Sequence, residues 1–192
     1  MKKLSLILVS FIFILKIAYA NTYATDPKIF IKELVSDAIN KLSDKDISEE
    51  EKKNFIANVA IENVDINALG LYTLGELRKS TDKNSLENYQ LAFKKYFLKS
   101  LTSRLTDYSS NKFEIINAEK KSSNYTIVKS KIVASTNKPE IKIDWRIYTK
   151  NPDKPLIRDL IVEGLSLART QKEEFASILN SNNNDVNILI AK

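Results

Sequence analysis

The stretch 141–148 reads IKIDWRIY, and this stretch decides the fold class. Every second residue is apolar, and these residues are Ile141, Ile143, Trp145 and Ile147. A period of two places alternate side chains on opposite faces of a β-strand. We therefore predict a strand over residues 140–150, with one apolar face and one polar face.

Three further segments are predicted to be strands, at 113–119, 125–136 and 156–162. The connections between the four strands are short and rich in Ser, Asn and Pro, at 122–124, 137–139 and 151–153. Short connections with turn-forming residues join antiparallel neighbours. The sequence therefore predicts a four-stranded, mostly antiparallel sheet with the usual twist.

Helical capping patterns precede the sheet. They predict the starts of three helices, at Asp26-Pro27, at Ser48 with Glu51 and at Asp65. A polar N-cap satisfies free amides of the first helical turn, and proline is tolerated at the first helical position. Apolar residues with helical spacing follow each pattern. The sequence therefore predicts three helices ahead of the sheet.

A longer helix is predicted over residues 85–105, with an aromatic side that includes Phe93 and Phe97. A last helix is predicted to begin at the capping pair Thr170 and Glu173. Helices, then strands, then a helix define an α+β arrangement. The expected fold is several helices packed on the sheet.

The first twenty residues have the pattern of a secretory signal peptide. Two lysines precede an apolar segment at 4–15, and Ala18-Tyr19-Ala20 provides small residues at the cleavage site. The apolar segment has about twelve residues, whereas a membrane-spanning helix needs about 20. We predict cleavage after residue 20 and a single exported domain over residues 21–192.

The positive charge of the chain depends partly on this segment. Residues 1–20 hold three lysines and no acid, so their removal lowers the formal charge from +6 by three units to +3. The pairs Lys94-Lys95 and Lys120-Lys121 are too sparse for a groove that follows phosphates. We expect no nucleic-acid partner, and anionic headgroups are the weaker alternative to simple solvation.

The composition excludes most catalytic chemistry. The chain has no histidine and no cysteine, which are the commonest general base, metal ligand and thiolate nucleophile. Three Ser-x-x-Lys spacings occur, but no further motif of that chemistry accompanies them. We expect no catalytic residue, no metal and no cofactor. Acidic pairs such as Glu62 and Asp65 leave a carboxylate-based enzyme open as an alternative.

Several ordered motifs resemble the toluene-tolerance (MlaC) family over most of the mature chain. They are Val64-Asp65, Leu74-Gly75, Arg78, Phe93, the string DLIVEGLSL at 159–167, and Phe175. The resemblance implies helices packed on a twisted sheet, with acyl chains held between the two layers. It also implies a periplasmic protein that binds a two-chain phospholipid and does no chemistry on it.

The same resemblance implies the partners. They would be an outer-membrane lipoprotein complex and an inner-membrane ABC transporter with its substrate-binding ring. Lipid would move between them and maintain outer-membrane lipid asymmetry, and we expect the carrier to be a monomer. A carboxylate-based periplasmic enzyme and an exported interaction module with a filled core remain the alternatives.

The candidate lipid contacts are the apolar residues of the long helix and of one strand face, which would enclose an apolar pocket between the layers. They are Phe93, Phe97, Ile132, Ile143, Trp145, Ile147, Leu160 and Val162. Strict alternation puts Ile127, Val133, Ile157 and Ile161 on the opposite faces. This leaves open a sheet that is covered on both sides.

Overall fold

The computed structural model describes residues 23–105, 112–134 and 139–191. The predicted signal peptide lies outside these residues. The helices described are α1 (Pro27–Ser43), α2 (Glu49–Asn63), α3 (Ile66–Thr73), α4 (Lys83–Leu105), α5 (Leu167–Asn180) and α6 (Asn187–Ile190), with a 3₁₀ turn at Gly75–Lys79. The strands are β1 (Phe113–Ser122), β2 (Tyr125–Ile132), β3 (Ile141–Tyr148), β4 (Leu156–Val162) and β5 (Leu165–Ser166). None of the helices described is both long and apolar enough to cross a membrane.

The first three helices begin where the capping patterns predict. The Asp26 carboxylate accepts hydrogen bonds from the first amides of α1 at 2.9 and 3.0 Å. Ser48 and Glu51 form a reciprocal capping box at the start of α2. The Asp65 carboxylate accepts from the Ala68 amide at 3.1 Å and caps α3. These three predictions are confirmed.

The last helix begins four residues before the predicted start. Its N-cap is Ser166, whose hydroxyl oxygen accepts from the Arg169 amide at 3.0 Å. Thr170 lies inside the first turn, so the prediction that it caps the helix is wrong. The reason is the tight turn at Glu163 and Gly164, with φ of 49° and 82°, which reverses the chain directly after β4.

This reversal also adds a strand to the predicted four. The sheet has the order β1-β2-β3-β4-β5, and every neighbouring pair is antiparallel. The α+β arrangement with an antiparallel sheet is therefore confirmed, with five strands. Near the start of β4, the edge that does not pair with β3 is covered by Val64, which forms a bridge with Ile157.

A bulge in β4 changes which face its first residues occupy. Arg146 pairs with Asp159 and Ile147 pairs with Ile157, so Arg158 has no partner on β3. Ile157 therefore lies on the same face as Ile147, and its predicted place on the opposite face is wrong. Strict alternation fails here because one extra residue shifts the side-chain parity.

Most of the buried apolar residues form two clusters. The sheet cluster joins α1 to the sheet and consists of Phe30, Ile31, Leu34, Val128, Trp145, Ile147 and Ile157. The helical cluster joins α3, α4, α5 and α6 and consists of Ile66, Leu74, Tyr89, Phe93, Phe175, Leu179, Val186 and Leu189. Val64 is half-buried and packs against both clusters. Helix α1 therefore contributes the main cover of the sheet.

Candidate functional site

The six predicted strand residues of the site share one face of the sheet, which we call the inner face. Ile143 lies opposite Ser130 on β2 and Val162 on β4. Trp145 lies opposite Val128 and Leu160 in the next row. Residues directly opposite each other across strands project to the same side. By the same register the inner face carries Ile132, Ile143, Trp145, Ile147, Leu160 and Val162.

Burial changes along the inner face. At one end Val128 and Ile147 are 0 % exposed, and they lie in the sheet cluster with Phe30 and Ile31 of α1. The other end is only half-buried, and we call it the open end. Its residues are Phe113, Ile132, Ile141, Ile143, Leu160 and Val162. The open end is therefore an apolar surface that the described residues cover incompletely.

Apolar residues continue from the open end to the protein surface. Leu165 on β5 lies opposite Val162 and is 68 % exposed. Leu167, the first residue of α5, is also an exposed large apolar residue. Contiguous exposed apolar surface next to a partly covered sheet face is typical of a binding site. The β4–β5 hairpin therefore marks one rim of the candidate site.

The two predicted residues of the long helix lie in the other cluster. Phe93 is buried in the helical cluster, where its ring meets the Phe175 ring edge-on at 6.3 Å. Phe97 is half-buried and stacks on Phe93 at 6.2 Å. The structure therefore does not bring these two rings into the sheet cluster. Their contact with a lipid stays a prediction.

Other residues take the place on the helical side that the sequence assigned to these phenylalanines. Val35 of α1 and Val59 of α2 are half-buried and pack against the sheet cluster. Ile115 of β1 does so from the sheet edge. Helical spacing marked the apolar stripe of α1, but spacing alone does not say which helix lies on the sheet. The site is therefore closer to α1 than the sequence suggested.

Trp145 is held in place between the two ends of the inner face. Its indole Nε1 donates a hydrogen bond to the Ser130 hydroxyl oxygen at 2.8 Å. The Ser130 hydroxyl donates in turn to the Ile143 carbonyl oxygen at 2.8 Å. The Phe113 ring meets the indole edge-on at 6.4 Å between centroids. Both polar groups are thus satisfied within an otherwise apolar surface.

The opposite face of the sheet has a different character. It carries a shallow groove of about 540 Å³ lined by Lys121, Ser122, Tyr125, Ile127 and Arg146. Next to it, hydrogen bonds from Lys121 and Lys129 lower the pKa of Glu119 to about 2. Around this groove the outer face is polar and open to solvent, whereas the predicted lipid contacts lie on the inner face.

Asp65, one of the acidic pair that leaves a carboxylate-based enzyme open, and the buried Asp159 both have structural partners. Besides capping α3, the Asp65 carboxylate accepts from the Arg158 guanidinium at 2.7 and 2.8 Å. The Asp159 carboxylate accepts from the Ser166 hydroxyl at 2.6 Å and from the Ala168 amide at 3.0 Å. Within the described part of the chain, no group of three or more acidic residues could hold a metal ion. These carboxylates fasten helices to the sheet.

Fold and site together define an α+β protein whose antiparallel sheet has an apolar inner face that is incompletely covered at one end. The chain belongs to the MlaC family, because the family model described as "MlaC protein" matches residues 32–192. This confirms the resemblance inferred from the sequence.

Among the solved structures that match this chain is one that is similar to it over nearly its whole length. It is a phospholipid-binding protein from Ralstonia solanacearum, solved in complex with a phospholipid. The TM-score is 0.68 at 18 % identity, and the match covers 90 % of this chain and 100 % of that chain. At this identity the similarity establishes the shared fold. None of the curated proteins compared with the chain matches it.

Proposed function

We propose that this protein is a periplasmic phospholipid carrier. It holds the acyl chains of a two-chain lipid against the open end of the inner face. It moves lipid between an outer-membrane lipoprotein complex and an inner-membrane ABC transporter with its substrate-binding ring, and so maintains outer-membrane lipid asymmetry. The exported form starts after residue 20, and it does no chemistry on the lipid.

The observation that carries this proposal is the half-buried open end. Each methylene removed from water is worth about 0.8 kcal/mol, so a carrier must offer a lipid tail an apolar surface of matching size. Ile143 and Val162 offer such a surface, since they lie side by side on the inner face and remain half-buried. Exposed Leu165 extends that surface to the rim.

Family and fold support the same proposal. The chain belongs to the MlaC family, and the similar Ralstonia solanacearum protein was solved with a phospholipid bound. The lack of histidine and cysteine in the sequence supports a carrier in preference to a hydrolase. The structural engagement of Asp65 and Asp159 weakens the carboxylate-enzyme alternative.

The test introduces a charge on each face of β3. Ile143→Asp places a carboxylate where hydrocarbon would lie, at a cost of several kcal/mol if it stays ionised. Lys142→Asp changes the neighbouring exposed residue, whose side chain points to the other face. We expect purified Ile143→Asp to carry at least about tenfold less phospholipid than wild type, and Lys142→Asp to carry the wild-type amount. Mass spectrometry of a solvent extract measures both.

Circular dichroism and a melting curve must accompany the lipid assay, because a half-buried charge also destabilises the fold. A folded Ile143→Asp variant with wild-type phospholipid content would contradict the proposed site. Wild-type protein purified without any lipid, and unable to take lipid from vesicles, would contradict the carrier function and favour an interaction module with a filled core.

A further inference from the structure

We propose that Trp145 forms the inner wall of the acyl site and limits the length of the chain that the site accepts. This inference rests on the proposed carrier function. It concerns selectivity, because the residue that ends an apolar cavity decides how many methylenes of a bound tail leave water.

The first argument is position along the inner face. Ile143 and Val162 form one row of side chains, and Trp145 and Leu160 form the next row, about 7 Å further along the strands toward Ile147. Residues of the first row are half-buried, whereas Trp145 is buried. A tail that enters from the open end and runs along β3 toward Ile147 therefore meets the indole directly after the row of Ile143 and Val162.

The second argument is the packing behind the indole. Ile147 occupies the following row and is fully buried, as are Phe30 and Ile31 of α1 in the same cluster. Protein interiors of this kind are close-packed, so a tail gains no space beyond the ring unless side chains leave. The bulge strengthens this barrier, because it turns Ile157 to the inner face beside Ile147.

The third argument is the fixed orientation of the ring. The Ser130 hydroxyl anchors the indole Nε1, and this hydroxyl is itself anchored on the Ile143 carbonyl. The Phe113 ring contacts the indole edge-on. Turning the indole out of the way would break the hydrogen bond between its Nε1 and the buried Ser130 oxygen. Trp145 is therefore a rigid wall, unlike a flexible aliphatic side chain in the same place.

Chain-length selectivity follows from these three observations. When lipid comes from a vesicle, every methylene that does not fit the site moves from hydrocarbon to water. Each such methylene lowers the binding constant about fourfold. Wild-type protein should therefore prefer shorter tails. Replacing the indole with a small side chain should extend the site and relax that preference.

In the experiment, delipidated protein is incubated with vesicles that contain equal amounts of dimyristoyl and distearoyl phosphatidylglycerol. The ratio of the two lipids bound is measured by mass spectrometry. We expect Trp145→Ala to raise the ratio of bound distearoyl to bound dimyristoyl lipid by at least about fourfold relative to wild type, which is the effect of a single methylene. Trp145→Phe retains more of the core and should raise this ratio by a smaller factor.

Ile157→Ala is the matched control. It also removes buried apolar volume from the inner face, but on β4 behind the indole, where the tail does not reach. Its bound-lipid ratio should equal that of wild type even though its melting temperature falls. Circular dichroism establishes that each variant is folded, and Trp145→Phe provides the test if Trp145→Ala is not.

The outcomes separate the two proposals. A wild-type protein that takes neither lipid from the vesicles contradicts the carrier function itself. A wild-type protein that loads lipid, with folded Trp145 variants that show an unchanged ratio, overturns the wall and leaves the carrier function standing. An equal shift in the lipid ratio of Ile157→Ala also overturns the wall, because it would show that any loss of core volume changes selectivity.

Discussion

Gly70 in α3 illustrates how one residue sets the distance between two helices. A Cβ added at this position would lie 2.9 Å from Cδ1 of Phe93 on α4, closer than side chains approach. Glycine inside a helix costs about 0.5–1 kcal/mol relative to alanine. The close approach of the Phe93 ring explains why glycine is nevertheless suited to this position.

We expect Gly70→Ala to lower the free energy of unfolding by about 1–3 kcal/mol, because the added methyl overpacks the helical cluster. Urea denaturation measures the change. In a double-mutant cycle with Phe93→Leu, the two losses should add to more than the loss of the double variant. If Gly70→Ala were more stable than wild type, residue 70 would be a helix position with room for a methyl group. That result would contradict the close contact with Phe93.

At the scale of the element, the start of α5 depends on the strand that precedes it. The Asp159 side chain is buried at 4 % exposure and accepts hydrogen bonds from the Ser166 hydroxyl and the Ala168 amide. Ser166 is the N-cap of α5 and also pairs with Ile161 in the sheet. Strand, turn and helix are therefore fastened at one carboxylate.

Asp159→Asn should destabilise the protein by about 1–3 kcal/mol, because an asparagine has a single acceptor oxygen and loses the ion pair with the Arg146 guanidinium at 3.6 Å. Chemical denaturation followed by circular dichroism provides the measurement. Asp153→Asn, at an exposed turn position, is the control and should stay within about 0.5 kcal/mol of wild type. Equal stability of the two variants would show that the buried carboxylate does not anchor α5.

At the scale of the whole molecule, a residue of the helical cluster makes the free energy of unfolding depend on pH in the alkaline range. Tyr89 is 1 % exposed in this cluster, and burial raises the pKa of its hydroxyl to about 12, against a hydrogen bond with Thr73 that lowers it. The folded state therefore favours the neutral phenol. The resulting stabilisation is fully present below pH 10 and is lost as the pH rises toward 12.

Between pH 10 and pH 12 the free energy of unfolding should fall by about 2–3 kcal/mol more in wild type than in Tyr89→Phe, since phenylalanine has no proton to lose. Denaturant unfolding at a series of alkaline pH values measures the difference between the two proteins. Lysines titrate in the same range in both proteins, so their effects cancel in the comparison. Parallel stability curves would contradict the burial of an ionisable hydroxyl at this position.

The sequence alone determined the features that depend on neighbouring residues. A carboxylate or hydroxyl caps the helix that follows it, and for this reason the starts of α1, α2 and α3 could be predicted. The alternation in 141–148 likewise placed Ile143, Trp145 and Ile147 on one face, because a strand reverses its side chains at every residue. The ordered family motifs then indicated the α+β fold as a whole.

Only the tertiary structure decided the features that depend on distant residues. The bulge at Arg158 moved Ile157 to the inner face, and the tight turn at Glu163 and Gly164 produced a fifth strand and an earlier helix. The structure also separated Phe93 from the strand residues that the sequence had grouped with it. Periodicity shows that a face is buried, but it does not show which element covers that face, since packing between segments far apart in the chain decides the partner.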